Sequence, residues 1–266
     1  MSTHSLVLSD VVVKRFRSYD RGEHRREWLG LRLLDRYAPG LAPRPLAADL
    51  AADPPTVTMS RLPGEPLGRH PLTYAELTAV ADAMERLHSA VPVDETTRLD
   101  PSHGHPNRGL AGLRALLDAH PGTPDEPVVA AAVGAARRWL ASTEAAGAAA
   151  VDGVPAVFGR EDHNLPNFLR DGDRIALVDF EDSGRSDRAT EWAALVEHHA
   201  ARRTADADWQ PFLDQVADQA RLRTARRYYA CVWVALMLPG GPGHDRNPPP
   251  ARRAQAERLL GLLRAG

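Results

Sequence analysis

The sequence predicts an α+β protein with a small, sheet-containing first lobe and a larger, mainly helical second lobe. In the first sixty residues, short apolar runs rich in β-branched residues favour strands. Most of the later chain has the apolar periodicity of amphipathic helices. Between these regions, residues 60–68 contain two prolines and two glycines, a composition typical of a linker. We therefore expect a first lobe over residues 1–62 and a second over residues 63–266.

The first lobe is expected to hold a hairpin, one helix and two further extended segments. Ser5–Leu8 and Val11–Phe16 are apolar and β-branched, and Ser9-Asp10 between them suits a tight turn. A helix follows from Asp20, and its apolar stripe ends before Pro39-Gly40. Residues 42–50 are interpreted as an extended segment and residues 56–59 as a strand.

The second lobe is expected to be helical around one β-rich island. Thr73–Ala90 has a clear apolar face, and Thr73 with Glu76 forms a predicted capping box. Residues 91–108 are polar and proline-rich and are interpreted as a loop. The island comprises predicted strands at 154–159 and 174–180 around an irregular stretch. Further helices are expected at 109–119, 126–147, 188–203, 207–222, 222–238 and 250–264.

Composition excludes several classes of protein. The chain has 266 residues with 33 basic and 35 acidic side chains, so it lacks the basic excess of a phosphate-neutralising nucleic-acid binder. Its single cysteine, Cys231, excludes an internal disulfide framework. No signal peptide is visible, and the longest apolar run, 228–238, is too short to span a bilayer. We expect a soluble cytoplasmic protein with no nucleic-acid or membrane partner.

The strongest chemical pattern lies in the island. Asp162 is followed five residues later by Asn167, and Asp179 stands twelve residues further on, after an apolar strand. Phosphoryl transfer with magnesium uses one carboxylate to orient the attacking hydroxyl, and an amide and a second carboxylate to hold the cation. Asp and Asn are also common in loops because they favour turns. The flanking strands favour the functional interpretation.

Lys14 is the second candidate, because it is the only lysine among the 33 basic residues. It follows three valines on a predicted strand, where a lysine can also be an edge residue whose ammonium reaches solvent. The next helix offers Glu23 and Glu27 one turn apart on one face. A lysine held by a helical glutamate and directed at phosphates completes a kinase site, and Glu27 is preferred to Glu23 as its partner.

Several motifs occur together in the order found in one enzyme family. They are VVVKRF, REWLGLRLL, VTMSRLPGEPL, LTAVADAMERLHS, DHNLPNF and LVDFEDSGRSDRATEWA. From about residue 6 to 264 the chain resembles the aminoglycoside phosphotransferase and choline-kinase-like enzymes. The resemblance implies a two-lobe, protein-kinase-like fold with a truncated N-terminal lobe. It also implies an ATP- or GTP-dependent and Mg²⁺-dependent phosphotransferase acting on a small-molecule hydroxyl.

The resemblance also implies a role for individual residues. Lys14 and Glu27 would position the phosphates, and Asp162 would be the catalytic aspartate. Asn167 and Asp179 would hold Mg²⁺. The remaining implied residues are Met59 at the back of the nucleotide pocket, Ser60–Leu62 as the hinge that meets the base, and Glu191 as a brace of the catalytic loop.

Three departures from the family pattern bear on activity. Arg160-Glu161-Asp162 replaces the usual His-Gly-Asp, so Arg160 and Glu161 would pair with neighbours or contact substrate. Only thirteen residues precede Lys14, too few for a glycine-rich phosphate cover. Either Thr3, His4 and Ser5 partly substitute for that cover, or the natural start lies upstream. Thirdly, Glu181 and Asp182 form an acidic pair after Asp179 that would suit a cationic acceptor.

Two functions therefore remain open from the sequence. The first is a phosphotransferase acting on an aminoglycoside-like antibiotic or related metabolite. The second is a kinase-like binding or regulatory protein with little or no catalysis. Among the other polar residues, His198-His199 are interpreted as helix C-terminal cations. The aromatic residues Trp209, Phe212, Tyr228, Tyr229 and Trp233 are interpreted as core, with the tyrosines as candidates for an acceptor pocket.

Overall fold

A computed structural model describes residues 4–120 and 126–265. The first part of the chain forms a four-stranded antiparallel sheet in the order β1-β2-β4-β3. The strands are β1 (His4–Leu8), β2 (Val11–Phe16), β3 (Pro45–Asp49) and β4 (Thr56–Ser60), and one helix, α1 (Glu23–Tyr37), belongs to this part. The predicted hairpin, helix and following strands are confirmed. Thr3, one of the three residues suggested as a substitute phosphate cover, lies outside the described residues.

The alternation of side chains along β2 determines the direction of Lys14. Lys14 and Phe16 are buried, whereas Arg15 between them is exposed. Lys14 lies opposite Leu6 of β1 and Val57 of β4, in the interior of the sheet. Because successive strand residues point to opposite faces, Lys14 shares the covered face with Phe16. The alternative of a solvent-reaching edge lysine is therefore wrong.

The segment expected to be a free linker contains a short strand. β5 (Glu65–Pro66) pairs with β7 (Phe168–Asp171), which forms a hairpin with β8 (Arg174–Leu177). Gly64 enters β5 with φ of 105°, and a Cβ there would lie 2.6 Å from the carbonyl oxygen of Arg170. Only glycine allows this close approach, so residues 60–68 are attached to the hairpin rather than free.

The second part of the chain is mainly helical, as predicted, with two small sheets. The second sheet pairs β6 (Val157–Gly159) with β9 (Gly184–Ser186), a strand that the sequence did not predict. The helices are α2 (Tyr74–Ala90), α3 (Val93–Thr96), α4 (Pro106–Asp118), α5 (Pro127–Leu140), α6 (Thr143–Ala148), α7 (Arg188–Glu197), α8 (Asp206–Leu213), α9 (Gln219–Leu236) and α10 (Pro249–Arg264). No helix in the described ranges is long and apolar enough to cross a membrane.

Helix boundaries differ from the prediction where polar side chains cap new helices. The predicted helix 126–147 divides because the Ser142 hydroxyl accepts the amide hydrogen of Ala145 at 3.3 Å and starts α6. The predicted helix 207–222 ends early, at Leu213 of α8, and Asp218 caps the next helix, α9. α7 stops at Glu197, short of residue 203, and the predicted loop 91–108 contains α3 and the start of α4. The Thr73–Glu76 capping box is confirmed.

Candidate active site

Lys14 lies at the centre of a buried ion cluster. Its side chain is 3% exposed, and its ammonium lies 2.9 Å from Glu27, 2.5 Å from Asp179 and 2.9 Å from Glu181. Burial alone would lower the pKa of Lys14, but the three carboxylates together raise it above its usual range. Lys14 is therefore an ammonium ion throughout the range in which the protein would function.

The structure pairs Lys14 with Glu27 and not with Glu23. The Glu27 carboxylate accepts from Lys14 Nζ at 2.9 Å, and the same oxygen accepts the backbone amide of Phe180, also at 2.9 Å. Glu23 instead accepts from the backbone and side chain of Arg21. Glu27 thus joins α1, strand β2 and the residue that follows Asp179 through one oxygen atom.

Asp162 and Asn167 lie together in the loop after β6. One Asp162 carboxylate oxygen accepts the amide hydrogen of Asn164 at 3.0 Å, and the other accepts from Asn167 Nδ2 at 3.1 Å. Burial and the neighbouring Asp179 raise the pKa of Asp162. Its carboxylate is thus held in position while about a third of the side chain stays exposed.

Asp179 is brought next to Asn167 by backbone bonding. The amide of Val178 donates to the carbonyl of Asn167 at 3.0 Å, so β8 ends beside the loop. Asp179 itself has φ of 70°, a left-handed conformation that is uncommon for a non-glycine residue. Such conformations persist where neighbouring contacts fix them, and here Lys14 holds the side chain while Glu27 holds the following amide.

One cavity of about 380 Å³ contains most of the residues predicted from the sequence. Asp162 does not line this cavity, but its carboxylate is hydrogen-bonded to Asn167, which does. The cavity lies between the first sheet and the β7–β8 hairpin, and the predicted residues that line it are Lys14, Glu27, Met59, Ser60, Leu62, Asn167 and Asp179. All the predicted site residues therefore line this cavity or, as for Asp162, contact a residue that does.

The oxygen donors around Asp179 suit a hard divalent cation. Asn167 offers an amide and Asp179 a partly exposed carboxylate, which are ligands that Mg²⁺ accepts. His4, Asp179 and Glu181 also present one ligand atom each within 4.8 Å of one another. His4 Nδ1 lies 3.0 Å from Glu181, so this residue of β1 contributes to the site.

Arg160 braces the loop that holds Asp162 and Asn167. It is fully buried, its backbone amide donates to Glu191 at 3.0 Å, and its guanidinium donates to the Val178 carbonyl at 3.0 Å. The guanidinium also lies over the rings of Phe168 and Phe180, at 4.7 and 5.9 Å. Of the two alternatives for Arg160, these contacts favour pairing with neighbours over contact with substrate.

Glu191 holds the loop from the helical side. Besides the Arg160 amide, it accepts from His163 Nε2 at 2.9 Å. Although burial acts in the opposite direction, the contacts with His163 lower the pKa of Glu191 to about 2. A Cβ on Gly159 would lie 2.3 Å from the Glu191 carboxylate, so this packing needs a glycine before Arg160.

Glu161 attaches the same loop to α9. Its carboxylate accepts from Ser102 Oγ at 2.9 Å and from the Tyr229 hydroxyl at 2.8 Å, and its φ is 67°. Burial raises the pKa of Glu161 to about 8. Neither Ser102 nor Tyr229 could be paired with Glu161 from the sequence, because the three residues are far apart in the chain.

The acidic pair of Glu181 and Asp182 has basic partners within the chain, and its fit to a cationic acceptor stays a prediction. The Glu181 carboxylate lies 2.9 Å from Lys14 and 3.0 Å from His4. Asp182 lies 3.3 Å from Arg21, and burial raises its pKa to about 7. These two neighbouring acids therefore face different partners, and they do not form one acidic surface.

Aromatic residues that the sequence analysis did not assign to the site adjoin Asp162. His198 Nε2 lies 3.8 Å from the Asp162 carboxylate, and the rings of His198, His199 and Trp233 pack with centroids 4.5–4.8 Å apart. Burial lowers the pKa of both histidines, that of His198 strongly. A lowered pKa favours the neutral imidazole near pH 7, which does not support their interpretation as helix C-terminal cations.

Together, the small antiparallel sheet, the mainly helical remainder and the cavity beside Lys14 are those of a protein-kinase-like fold. The chain belongs to the phosphotransferase enzyme family, whose model matches residues 5–231. A comparison with curated proteins found no significant match.

Solved structures extend the likeness over the whole chain at low sequence identity. A thermostable mutant of aminoglycoside phosphotransferase APH(4)-Ia, in a ternary complex with AMP-PNP and hygromycin B, is 15% identical with a TM-score of 0.65, covering 100% of this chain and 94% of that one. A choline/ethanolamine kinase family protein from Mesorhizobium loti is 16% identical with a TM-score of 0.67, covering 99% and 86%. A spectinomycin phosphotransferase, in complex with ADP and spectinomycin, is 12% identical with a TM-score of 0.58, covering 97% and 88%.

Proposed function

We propose that this protein transfers the γ-phosphoryl group of ATP or GTP to a hydroxyl of a small molecule, with Mg²⁺ as cofactor. The observation that carries the proposal is the convergence of Lys14, Glu27 and Asp179 with Asn167 and Asp162 around one cavity of about 380 Å³. Phosphoryl transfer depends mainly on positioning and on stabilisation of charge, and these residue types supply both.

Lys14 is proposed to bind the nucleotide phosphates. A phosphate group entering the cavity would compete with Asp179 and Glu181 for the ammonium, while Glu27 keeps it in place from the buried side. A compact ammonium fits this position better than the broad, planar guanidinium used at the other basic positions.

Asn167 and Asp179 are proposed to hold Mg²⁺, which would neutralise charge on the transferred phosphoryl group. Their oxygen donors lie next to the same cavity, and Lys14 already compensates the Asp179 carboxylate. Release of Asp179 from Lys14 would free the carboxylate for the cation.

Asp162 is proposed to orient the acceptor hydroxyl and accept its proton. Its carboxylate is fixed by Asn164 and Asn167, and its raised pKa makes it a better proton acceptor than an ordinary aspartate. His198 approaches the same carboxylate as a neutral ring, so it can exchange hydrogen bonds with an acceptor without adding charge.

The base of the nucleotide is proposed to meet the hinge at residues 60–62, with Met59 behind it. The Ser60 amide donates to the Arg44 carbonyl at 2.9 Å. The backbone amide and carbonyl groups of Arg61 and Leu62 are therefore proposed to bind the base. Recognition through backbone groups is compatible with either ATP or GTP.

The acceptor is proposed to be an aminoglycoside-like antibiotic or a related hydroxylated metabolite. His198, His199 and Trp233 beside Asp162 offer flat ring surfaces, and sugars or amines bind well to such surfaces. Relatives of similar fold are complexed with hygromycin B or spectinomycin, which supports this substrate class.

The test is an acceptor screen with γ-labelled ATP and GTP and Mg²⁺, covering amino sugars, nucleosides, choline-like alcohols and simple sugars. With the best acceptor, Asp162→Asn should lower kcat by about 10²–10⁴-fold, because it removes the proton acceptor. Binding of the nucleotide should remain close to that of the wild type, as measured by thermal stabilisation with Mg²⁺ and nucleotide. The matched control is Asp152→Asn, which changes an exposed loop aspartate.

Two results would contradict the proposal. Undiminished phosphorylation by Asp162→Asn would remove Asp162 from its role. Thermal stabilisation by nucleotide without transfer to any acceptor would favour the second candidate, a kinase-like binding protein, which the direct Lys14–Asp179 contact also suits.

A further inference from the structure

A second cavity, of about 250 Å³, lies between α1, the loop before α4 and the chain at residues 183–184. It does not share the residues of the nucleotide cavity. One acid lines it, Asp100, together with four arginines: Arg21, Arg25, Arg26 and Arg108. A cavity with this charge ratio attracts anions.

Among the described residues, three of the four guanidinium groups form no direct ion pair with an acid. Arg21 pairs with Glu23 and lies near Asp182. Within residues 4–120 and 126–265, no carboxylate oxygen lies within 4.0 Å of a guanidinium nitrogen of the three other arginines, which are Arg25, Arg26 and Arg108. Arginine forks are suited to oxyanions through paired N–H donors, so these groups have unused binding capacity.

Two of these arginines are held close together by one backbone carbonyl. Arg26 donates to the Pro101 oxygen at 3.2 Å, and Arg108 donates to the same oxygen at 3.4 Å. Arg26 also donates to the Ser183 carbonyl at 2.6 Å. Burial and then the nearby Arg108 lower the pKa of Arg26, although Asp100 and Asp182 act in the opposite direction.

A neighbouring histidine responds to the same positive field. Burial, followed by Arg21, Arg108 and Arg26, lowers the pKa of His103 to about 4. His103 does not line the cavity, and its lowered pKa reflects its burial and the positive charge of these arginines. The region thus combines a cavity with clustered positive charge.

We infer that this cavity binds a small organic oxyanion, a phosphate or carboxylate, through Arg25, Arg26 and Arg108. Leu29 and Phe158 supply apolar wall, so the ligand would carry a short carbon body as well as its charge. The volume is just below the range typical of pockets for small molecules and too small for a macromolecular surface to enter.

The position of the cavity links it to the candidate active site. Arg26 immediately precedes Glu27 in α1, and Ser183 follows Phe180 by three residues. An anion bound by Arg26 would therefore fasten α1 to the segment whose Phe180 amide Glu27 already holds. Anion binding should raise affinity for nucleotide; this coupling rests on the proposed function, whereas binding of the anion does not.

The test is thermal unfolding of the full chain in inorganic phosphate, glycerol 3-phosphate and citrate, compared with chloride at equal ionic strength. At about a hundredfold excess over Kd, a ligand should raise Tm by about 5–10 °C. The Arg25→Ala/Arg108→Ala double variant should lose most of this rise. Both residues are exposed, so the variant should fold, and Arg32→Ala on the same helix is the matched control.

Each outcome bears on the inference. A saturable increase in Tm that is retained in Arg32→Ala and lost in the double variant supports the inference. The anion that raises Tm most shows whether the cavity prefers a phosphate or a carboxylate. Equal increases in Tm for the wild type and the double variant, or no increase in Tm beyond that in chloride, overturn the inference. A phosphate rise lost only in Lys14→Met would place the anion in the nucleotide cavity instead.

Calorimetric titration with ADP, with and without the stabilising anion, tests the coupling separately. A several-fold tighter Kd in the wild type and no change in the double variant are expected, since coupling between two sites is reciprocal. An ADP affinity that the anion leaves unchanged would overturn the link to α1. Failure of phosphoryl transfer in the acceptor screen would leave the anion titration unaffected.

Discussion

Replacing Lys14 by methionine would remove the single cation from a buried cluster of acids. The Lys14 side chain is 3% exposed, and its ammonium lies within 2.9 Å of Glu27, Asp179 and Glu181. Loss of one partner from a buried ion pair costs about 3–5 kcal/mol, because a charge is left without compensation. We expect about 3 kcal/mol here, since an uncompensated carboxylate can take up a proton.

For a chain of this length that cost corresponds to a decrease in Tm of about 6–12 °C at pH 7. The pH dependence has a definite sign. Without Lys14, the pKa of at least one buried carboxyl lies above its value in the unfolded chain, so the folded state gains stability as pH falls. The Tm deficit of Lys14→Met should therefore be smaller at pH 5 than at pH 7.

The assay is thermal unfolding at both pH values, with Arg15→Met as the matched control. Arg15 is the next residue of β2 and is exposed, so its replacement should change Tm little. Adding Glu27→Gln to Lys14→Met should recover part of the loss, because one buried charge is removed with its partner. A Lys14→Met variant within about 2 °C of the wild type at pH 7 would refute this account of the cluster.

Two further predictions concern the loop that holds Asp162 and Asn167. Gly159→Ala should lower the free energy of unfolding by about 1–3 kcal/mol, because the added Cβ would lie 2.3 Å from the Glu191 carboxylate. Gly112→Ala is the control, since the space around Gly112 is open and its replacement should not destabilise the protein. Equal denaturant midpoints for the two variants would count against this packing. Glu161→Gln should make the decline of Tm with rising pH less steep. The pKa of Glu161 is about 8 in the folded state, so its contribution to stability is complete below its pKa in the unfolded chain and is lost as pH rises through 8. Identical profiles of Tm against pH for the variant and the wild type between pH 6 and 9 would contradict the burial of this acid.

Local patterns were sufficient to predict much of the site. Three valines before Lys14 indicated a strand, and alternation along that strand buries the lysine with Phe16. Helical spacing offered Glu23 and Glu27, and the structure selects Glu27. The apolar run before Asp179 predicted a strand that ends beside the loop. These inferences succeed because each depends on a period within a single element.

Contacts between distant segments could not be predicted in the same way. Nothing in the local sequence pairs Glu161 with Tyr229, or places His198 beside Asp162, since α7 and α9 meet only in the folded helical region. The role of Arg160 was left between two alternatives because its partners, Val178 and the ring of Phe168, come from a hairpin beyond it. Tertiary packing decides such positions.

The solitary lysine makes this chain unusually simple for amine chemistry. Lys14 is the only side-chain amine in 266 residues, and it is enclosed by carboxylates inside the cleft. An amine-selective acylating reagent can therefore label one side-chain amine at most, besides the α-amino group, and Lys14 must first lose its contacts with the carboxylates and its proton. The rate at which Lys14 becomes labelled therefore measures how often its amine is released from Glu27, Asp179 and Glu181, and a bound ligand that covers Lys14 should lower that rate.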